Sequence, residues 1–587
     1  MEKINRIVQQ YAVIEAIIIS IIFTYIISLG SNSKYALIIQ SSALLGAFLF
    51  VLLALLAYKV LITFDLLKEW PVIFPALIFS ISIVLGLYFF EEKDNLLNVV
   101  LLMIALTGII FLMLVQCYRY LAKIKNQSHF LFKPKYFWLL WLFIFVTWLP
   151  AFLAMYPGNL SYDGVPQLLQ TIGHQGLSAH HPVLHTLYLT YSVELGKNIF
   201  GSYNIGLAIY SLTQMALLSS SLAYMVHQLI KRRVNKFFVI CAILFVSINP
   251  LIQIWALTTT KDIPFAALFI FSFILLFDLV KEPKVFLRSK KEMLKFSAVL
   301  ILLCLLRNQG VYVLLFTSLF VFWAIKGKGN KLRFSVSMVG ILVIIKLILG
   351  PLSTIAGVSP GDSREMYSVP MQQIARVYSL RKDAISRDQL KIIEKVIPEG
   401  YLVQYNPLVS DPVKSGFDTK NFDKNKSAFI KVWADLGLHN KRLYLESFLY
   451  GSVGYFYPDT IPYWLWYIMY DGAHPEFSPI KIERKPLLKT YDHYLRNFSE
   501  KLSFQKIPVY SLVVNEAFPF LAIIFSLGYA FYQRQYKKVA LLMLPFGFWG
   551  TLLLGPVIAV RYAFPIYVCI PFILGLVFID ENQKEKI

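Results

Sequence analysis

The chain has 587 residues, of which 57% are hydrophobic, 16% aromatic and only 15% charged, and apolar runs near the bilayer-spanning length of about 20 residues recur throughout. This excludes a soluble globule and points to an all-α polytopic membrane protein. The formal net charge of +22 reads, in such a chain, as cytoplasmic loops facing anionic lipid and not as a nucleic-acid surface. The four cysteines, Cys117, Cys241, Cys304 and Cys569, lie in or beside apolar segments, which excludes a disulfide framework outside the membrane.

Lys3 and Arg6 precede an apolar run from Tyr11 to Leu29 that has the look of a signal peptide. A second run, Ala36 to Tyr58, follows almost at once, so the first reads as a signal-anchor span. Pro71 to Phe90 and Leu96 to Gln116 come next, separated by the turn of Glu91, Glu92, Lys93 and Asp94. A basic loop from Arg119 to Lys135 leads into span five, Phe137 to Met155.

The polar stretch Tyr156 to Tyr188 interrupts the apolar pattern and places Asp163, His174, His180, His181 and His185 in one loop and the start of a helix. Pro182 suits the first position of that helix. Spans six (Ile205 to Ile230), seven (Phe237 to Leu257) and eight (Phe265 to Val280) follow, with Lys261 and Asp262 in the turn before the eighth. The run Phe296 to Ile325 is too long for one span and is broken by Arg307, Asn308, Gln309 and Gly310, which predicts two short spans with this quartet at their tip. Span eleven ends near Gly350, and three last spans begin near Ser511, Val539 and Tyr562.

This register predicts about fourteen transmembrane helices with both termini cytoplasmic, and about 28 lysines and arginines then fall in inside loops against about six in short outside turns. The polar loop, the Lys261-Asp262 turn, the Arg307 tip and the Arg561-Tyr562 turn all fall outside. Four units result: 1–136, an N-terminal four-span extension; 137–350, a membrane core with the outer loop 156–203; 351–510, a mainly helical extracytoplasmic domain; and 511–587, a three-span bundle. Within the third unit, Ala428 to Phe456 reads as amphipathic helices, some lying on the membrane surface. Tyr455, Phe456, Tyr457, Tyr463, Trp464, Trp466 and Tyr467 suit headgroups or sugar stacking. There is no internal repeat, no Walker-type motif and no dinucleotide glycine motif.

The order of these features resembles the GT-C superfamily of membrane glycosyltransferases, which includes protein O-mannosyltransferases and the lipid A aminoarabinose transferase. The matching residues are Asp163 in the first outer loop, His180-His181-Pro182-Val183-Leu184 entering a helix, Phe200-Gly201 before the next span, Asp262 in the second outer loop, and Arg561-Tyr562 followed by Pro565. The family's paired acidic residues are reduced here to Asp163, its HisProPro is HisProVal, and four extra spans precede the core. The wording of the loops looks more like a bacterial branch of uncharacterised membrane proteins, which leaves sugar and acceptor open.

The resemblance implies a polyprenyl-phosphate sugar donor and an envelope glycan, glycolipid or protein acceptor, with the site on the outer face of the plasma membrane. Transfer to a hydroxyl needs a base near the acceptor and positive charge near the departing phosphate. Asp163 is the candidate base and Asp262 a second catalytic acid. His180, His181, His185, Lys261, Arg307, Arg561 and Tyr562 are candidates for substrate binding. Glu516 is a further acid at the outer start of span twelve.

Each assignment has a plainer alternative. Asp163 and the histidines serve as helix caps, Lys261 and Asp262 form an interfacial ion pair, and the arginines pair with local carboxylates or snorkel. His181 and His185, four residues apart on one helix face, form with Asp163 a set for a divalent metal, without the glutamate of an HExxH motif. At the level of function the alternatives are a lipid-linked polymer ligase and a polysaccharide or lipid transporter. The transporter predicts mid-depth charge and repeated halves, neither of which the sequence carries beyond Lys346.

Overall fold

A computed structural model describes residues 2–29, 43–90, 96–124, 128–161, 163–459, 480–501 and 507–580. Every named element among them is helical, and β-pairing is confined to isolated bridges. Over the described residues each of the fourteen expected spans coincides with a helix or helix pair, the start of the second (residues 36–42) and the expected turn 91–94 lying outside them, but length separates the helices. Seven helices are long and apolar enough to cross a membrane, and two bent pairs, Glu2–Gln10 with Ala12–Ile26 and Lys236–Ile248 with Pro250–Ala256, raise the number to nine. The others are shorter: Lys290–Leu306, for example, has 17 residues, and a helix of that length rises about 25 Å against a hydrocarbon core of about 30 Å.

The break in the second bent pair has a local cause. Asn249 leaves the helix with extended backbone, its side chain accepts from Leu251 N, and Pro250 opens the next helix. Pro250 cannot supply the N–H that a continuous helix would need. The bend, 50°, carries the chain towards the Thr258–Thr260 turn.

The Phe200-Gly201 pair is also a piece of helix mechanics. Gly201 takes φ 68° and closes the Val183–Phe200 helix, and Ser202 then caps Tyr203–Lys231 by accepting from Ile205 N. The two helices touch at glycines: a Cβ on Gly196 would lie 2.1 Å from Gly206 N. Pro182 precedes the first of these helices by one position and does not open it; with ψ 119° it occupies the cap, and His185 N and Thr186 N donate to its carbonyl.

The two ends of the bundle differ in charge. At one end the basic loops meet: Lys236 N donates to Ser128 O, Arg232 pairs with Asp278 at 2.5 Å, and Lys537 Nζ lies 3.5 Å from Lys281 O. At the other end lie the turns carrying Asp163, Lys261, Arg307 and Arg561.

Residues Met371 to Tyr444 enclose a core of their own, built on Ile374, Phe422, Phe429 and Leu436. Two neighbouring pieces do not join that core. Val453, Tyr455, Phe456 and Tyr457 belong to the main core. Lys489–Glu500 packs against the Tyr136–Ala154 helix, and its Tyr491 Oη donates to Gln253. Tyr455, Phe456 and Tyr457 are therefore buried, contrary to an interfacial role. The other four aromatics of that expectation, Tyr463, Trp464, Trp466 and Tyr467, lie outside the described residues. The four cysteines are free.

Candidate functional site

Two extended segments, each only a few residues long, set the geometry. After a cis Tyr156–Pro157 bond the chain passes Gly158, whose φ is +136°. A Cβ there would meet Ser211 Oγ at 1.9 Å, so conformation and space both demand glycine. The chain then runs beside Leu257–Thr259: Asn159 N donates to Leu257 O and Thr259 N to Asn159 O, each at 2.9 Å, and Ser161 N donates to Thr259 Oγ1 at 2.7 Å. This lacing brings Asp163 to the Lys261-Asp262 turn across about a hundred residues of sequence.

Asp163 precedes the Gly164–Thr171 helix, yet its carboxylate makes no capping bond. It accepts instead from Arg561 Nη1 at 2.8 Å. Burial alone would raise the Asp163 carboxyl, but Arg561, Lys261 and His181 outweigh it and hold it well below the usual carboxylate range. Arg561 also donates through Nη2 to Tyr562 Oη at 2.8 Å, with its guanidinium 4.7 Å from that ring's centroid.

Asp262 opens the Asp262–Lys281 helix and is fully buried. Its Oδ2 accepts from Thr260 Oγ1 at 2.9 Å. Arg307 Nη1 stands 2.9 Å from Oδ1 as an ion pair, but neither atom is aligned for a hydrogen bond. The Arg307 guanidinium lies 5.4 Å from the ring centroids of Phe265 and Phe548 and 5.7 Å from that of Tyr562, an aromatic cage that suits a buried cation. Tyr562 therefore stands between the two arginines.

Lys261 completes the cluster. It interacts electrostatically with Asp163, Asp262, Arg561 and Arg307, and desolvation pulls its ammonium below the ordinary lysine value against the two carboxylates. Among the described residues no carboxylate lies within 4 Å of it. Three cations thus face two anions, and the unmatched charge sits on Lys261.

The histidines separate by role. His181 is 6% exposed, and its Nδ1 is buried without a partner. Burial, with Lys261 nearby, pushes its imidazole down to about 4, so it is neutral at neutral pH. His180 is exposed, and its ring meets that of His181 edge-on at 4.8 Å.

His185 corrects the substrate-binding expectation. It is fully buried, its Nδ1 is 2.6 Å from Gln167 Oε1 and its Nε2 is 2.8 Å from Tyr210 Oη. Both nitrogens are used, so no lone pair remains for a metal or ligand. Burial pushes this imidazole down to about 3. The proposed metal set fails for the same reason, and no group of three or more His, Cys, Asp or Glu among the described residues is placed to hold a metal.

The residues that sequence reasoning missed continue from His185. Tyr210 Oη also stands 2.6 Å from Gln214 Oε1, and Gln214 Nε2 donates to the carbonyls of Ala256 and Thr258 at 2.9 Å each. Gln167, His185, Tyr210 and Gln214 thus form a polar chain tying the outer loop to the Thr258 turn. Gln214, a polar residue within an apolar span, was the available signal.

Neighbouring segments hold the site from above and behind. Ala179 N donates to Ser359 O at 2.8 Å, and Ser410 N to Pro556 O at 2.9 Å. Tyr455 Oη accepts from Ala559 N at 3.0 Å and donates to Val557 O at 3.1 Å, fixing the turn that enters the Arg561 helix. Glu516 is 1% exposed in the turn before Phe518–Tyr532, and neither carboxyl oxygen has a hydrogen-bond partner. It interacts electrostatically with Tyr455.

A bundle of long apolar helices with a charged, mostly buried centre at one end defines a helical multi-pass membrane protein. The chain belongs to a family of unknown function (DUF6020), whose model matches residues 172–586. Lys261, Asp262, Arg307 and Arg561 fall within the matched region, and Asp163 falls just before it. No curated protein and no solved structure matches the chain.

Proposed function

We propose that this protein is a membrane glycosyltransferase that moves a sugar from a polyprenyl-phosphate-linked donor to a cell-envelope acceptor, with a GT-C-like core, fourteen spans, both termini cytoplasmic and the site on the outer face of the plasma membrane. The observation that carries the reading is the gathering of Asp163, Lys261, Asp262, Arg307 and Arg561 from four distant segments at one end of the apolar bundle, with one cation in excess. A lipid-linked phosphate supplies the missing anion at that depth, and its tail suits the apolar helices around it.

In this reading Lys261 meets the donor phosphate first, and Arg561 turns from Asp163 towards it. That transfer of partner has a chemical consequence. A carboxylate locked to a guanidinium is a weak proton acceptor, and loosening the pair returns Asp163 towards ordinary basicity as the donor arrives. His181, neutral and with a free buried nitrogen, orients a hydroxyl beside it. Asp262 holds Arg307, and Arg307 with Tyr562 positions Arg561.

The deciding experiment is reconstitution of the purified protein with labelled polyprenyl-phosphate sugar. Transfer of label to an envelope acceptor supports the reading, whereas movement of intact donor across the bilayer replaces it with a transporter. Product size separates transfer of one sugar from ligation of a polymer.

Two further expectations arise here. In a background lacking the native cysteines, Gln175→Cys in the exposed outer loop reacts with an impermeant thiol reagent in intact cells, and Ser128→Cys among the basic loops does not. The reverse pattern inverts the orientation and removes a lipid-linked donor. Arg561→Lys keeps the charge and loses the two-point grip on Asp163 and Tyr562, so donor-dependent turnover falls by about 1.5 to 3 kcal/mol, the worth of a charge-assisted contact. Unchanged donor kinetics in that variant would assign the phosphate to other residues.

A further inference from the structure

A second basic site lies away from this centre, in the unit with its own core. A cleft of about 370 Å³ opens between the C-terminal end of the Ser368–Leu380 helix and the start of Lys441–Tyr450. Arg376, Arg381, Lys441 and Arg442 line it against one carboxylate, Glu446.

That carboxylate is already engaged. Glu446 accepts from Arg376 Nη2 and, at 2.8 Å, from Arg442 Nε, so it serves to hold the two guanidinium groups in place. Arg376 is 8% exposed, Tyr405 Oη accepts from its Nη1 at 3.2 Å, and its Nε is buried without a partner. Lys441 has no ion pair among the described residues, and Arg381 reaches only the exposed Asp383 at 3.8 Å. The helix that begins at Lys441 is uncapped: the Asn440 side chain makes no capping bond, and its Oδ1 is buried and unpartnered. Uncapped first-turn N–H groups favour an anion.

The position of the cleft selects the anion. Arg442 Nη2 lies 3.5 Å from Tyr88 Oη, and Phe89 meets Tyr450 edge-on at 4.8 Å. Tyr88 and Phe89 are the last residues of a helix long and apolar enough to cross a membrane, Leu66–Phe89. The cleft therefore stands at the end of that apolar helix. Leu380 and Leu445 on the same helices are 56% and 58% exposed, and Leu438 near the end of the adjoining Thr419–His439 helix is 67% exposed, apolar surface that suits the edge of the acyl region.

We propose that this cleft binds the phosphodiester headgroup of an anionic glycerophospholipid and so docks the unit on the membrane surface. This does not depend on sugar transfer at the Asp163 centre. Arg376, braced by Glu446, forms the back of the site, and Arg381, Lys441 and Arg442 close on the phosphate from solvent.

The test uses the full chain in phosphatidylcholine vesicles containing a photo-crosslinking phosphatidylglycerol, with adducts mapped to peptides. Arg381 and Lys441 lie on the surface, so the double variant Arg381→Gln/Lys441→Gln leaves the fold intact. Wild type is expected to give adducts on residues 438–446, and the double variant to reduce them by about 30-fold, the weight of two cations at the headgroup plane. Adducts on the basic loop Lys281–Lys295 are expected to stay unchanged and report intact insertion. Equal adduct yield at 438–446 in the variant, or equal yield from a photo-crosslinking phosphatidylcholine, overturns the proposal. So does full displacement of the adducts by millimolar glycerol phosphate, which would assign the cleft to a soluble phosphate ester.

Discussion

Asp163→Asn is expected to yield a folded, inserted protein whose turnover falls by at least about 10², the contribution of a general base, while its affinity for donor is kept or increased. The reasoning is electrostatic as well as catalytic. Asparagine keeps the size and removes one of two carboxylates, so Lys261, Arg307 and Arg561 then face Asp262 alone. Arg561 loses its carboxylate partner at 2.8 Å, so its guanidinium turns to phosphate without first leaving that ion pair. A purely structural role for Asp163 would loosen the Arg561 turn and weaken donor binding together with turnover. The measurement is therefore the split between donor KM and kcat in purified protein, with Asp163→Glu as the variant that restores part of the rate. Turnover near that of wild type would leave Asp163 as the partner of Arg561 and nothing more.

Arg307→Met carries the other large effect, and it falls on stability. Asp262 is fully buried and Arg307 8% exposed, so removing the cation leaves a carboxylate without its counter-charge in a low-dielectric place, a loss of about 3 to 5 kcal/mol. Removing both charges should be far milder, since two buried ions are costly to desolvate. Arg307→Met/Asp262→Asn is thus expected to recover most of the stability lost by the single variant. Thermal unfolding in detergent compares the three proteins. If Arg307→Met unfolds at the temperature of wild type, the ion pair does not organise the site. If the double variant is no better than the single, the aromatic cage of Phe265, Phe548 and Tyr562 is what needs the guanidinium.

Arg307 and Arg561, on turns far apart in sequence, are joined through Tyr562. The plainer alternative, that each arginine pairs with a carboxylate, also describes the geometry: Arg307 has Asp262, and Arg561 has Asp163. The four-residue spacing predicts His181 and His185 on one helix face, but the helix begins at Val183, so His181 precedes it and only His185 is helical. Tyr210, from a helix that follows in sequence, takes the second nitrogen of His185, and only His181 is left with a free one.

What the sequence by itself determined is the membrane class, the place of the long apolar helices and the polar turns between them. Hydrophobic runs and the chemistry of Pro, Gly and Asn act over a few residues and are written locally. It also marked the residue types of the site, since charge in an apolar chain is costly and seldom idle. Only the tertiary structure decided which charges meet. The Asn159–Ser161 and Leu257–Thr259 segments are laced by backbone and hydroxyl bonds that leave no periodic signal, and that lacing places Asp163 beside Lys261. Pairing of Asp163 with Arg561 spans 398 residues of sequence, and it depends on how the last short helices pack into the bundle, a matter of shape and buried partners that no local pattern records.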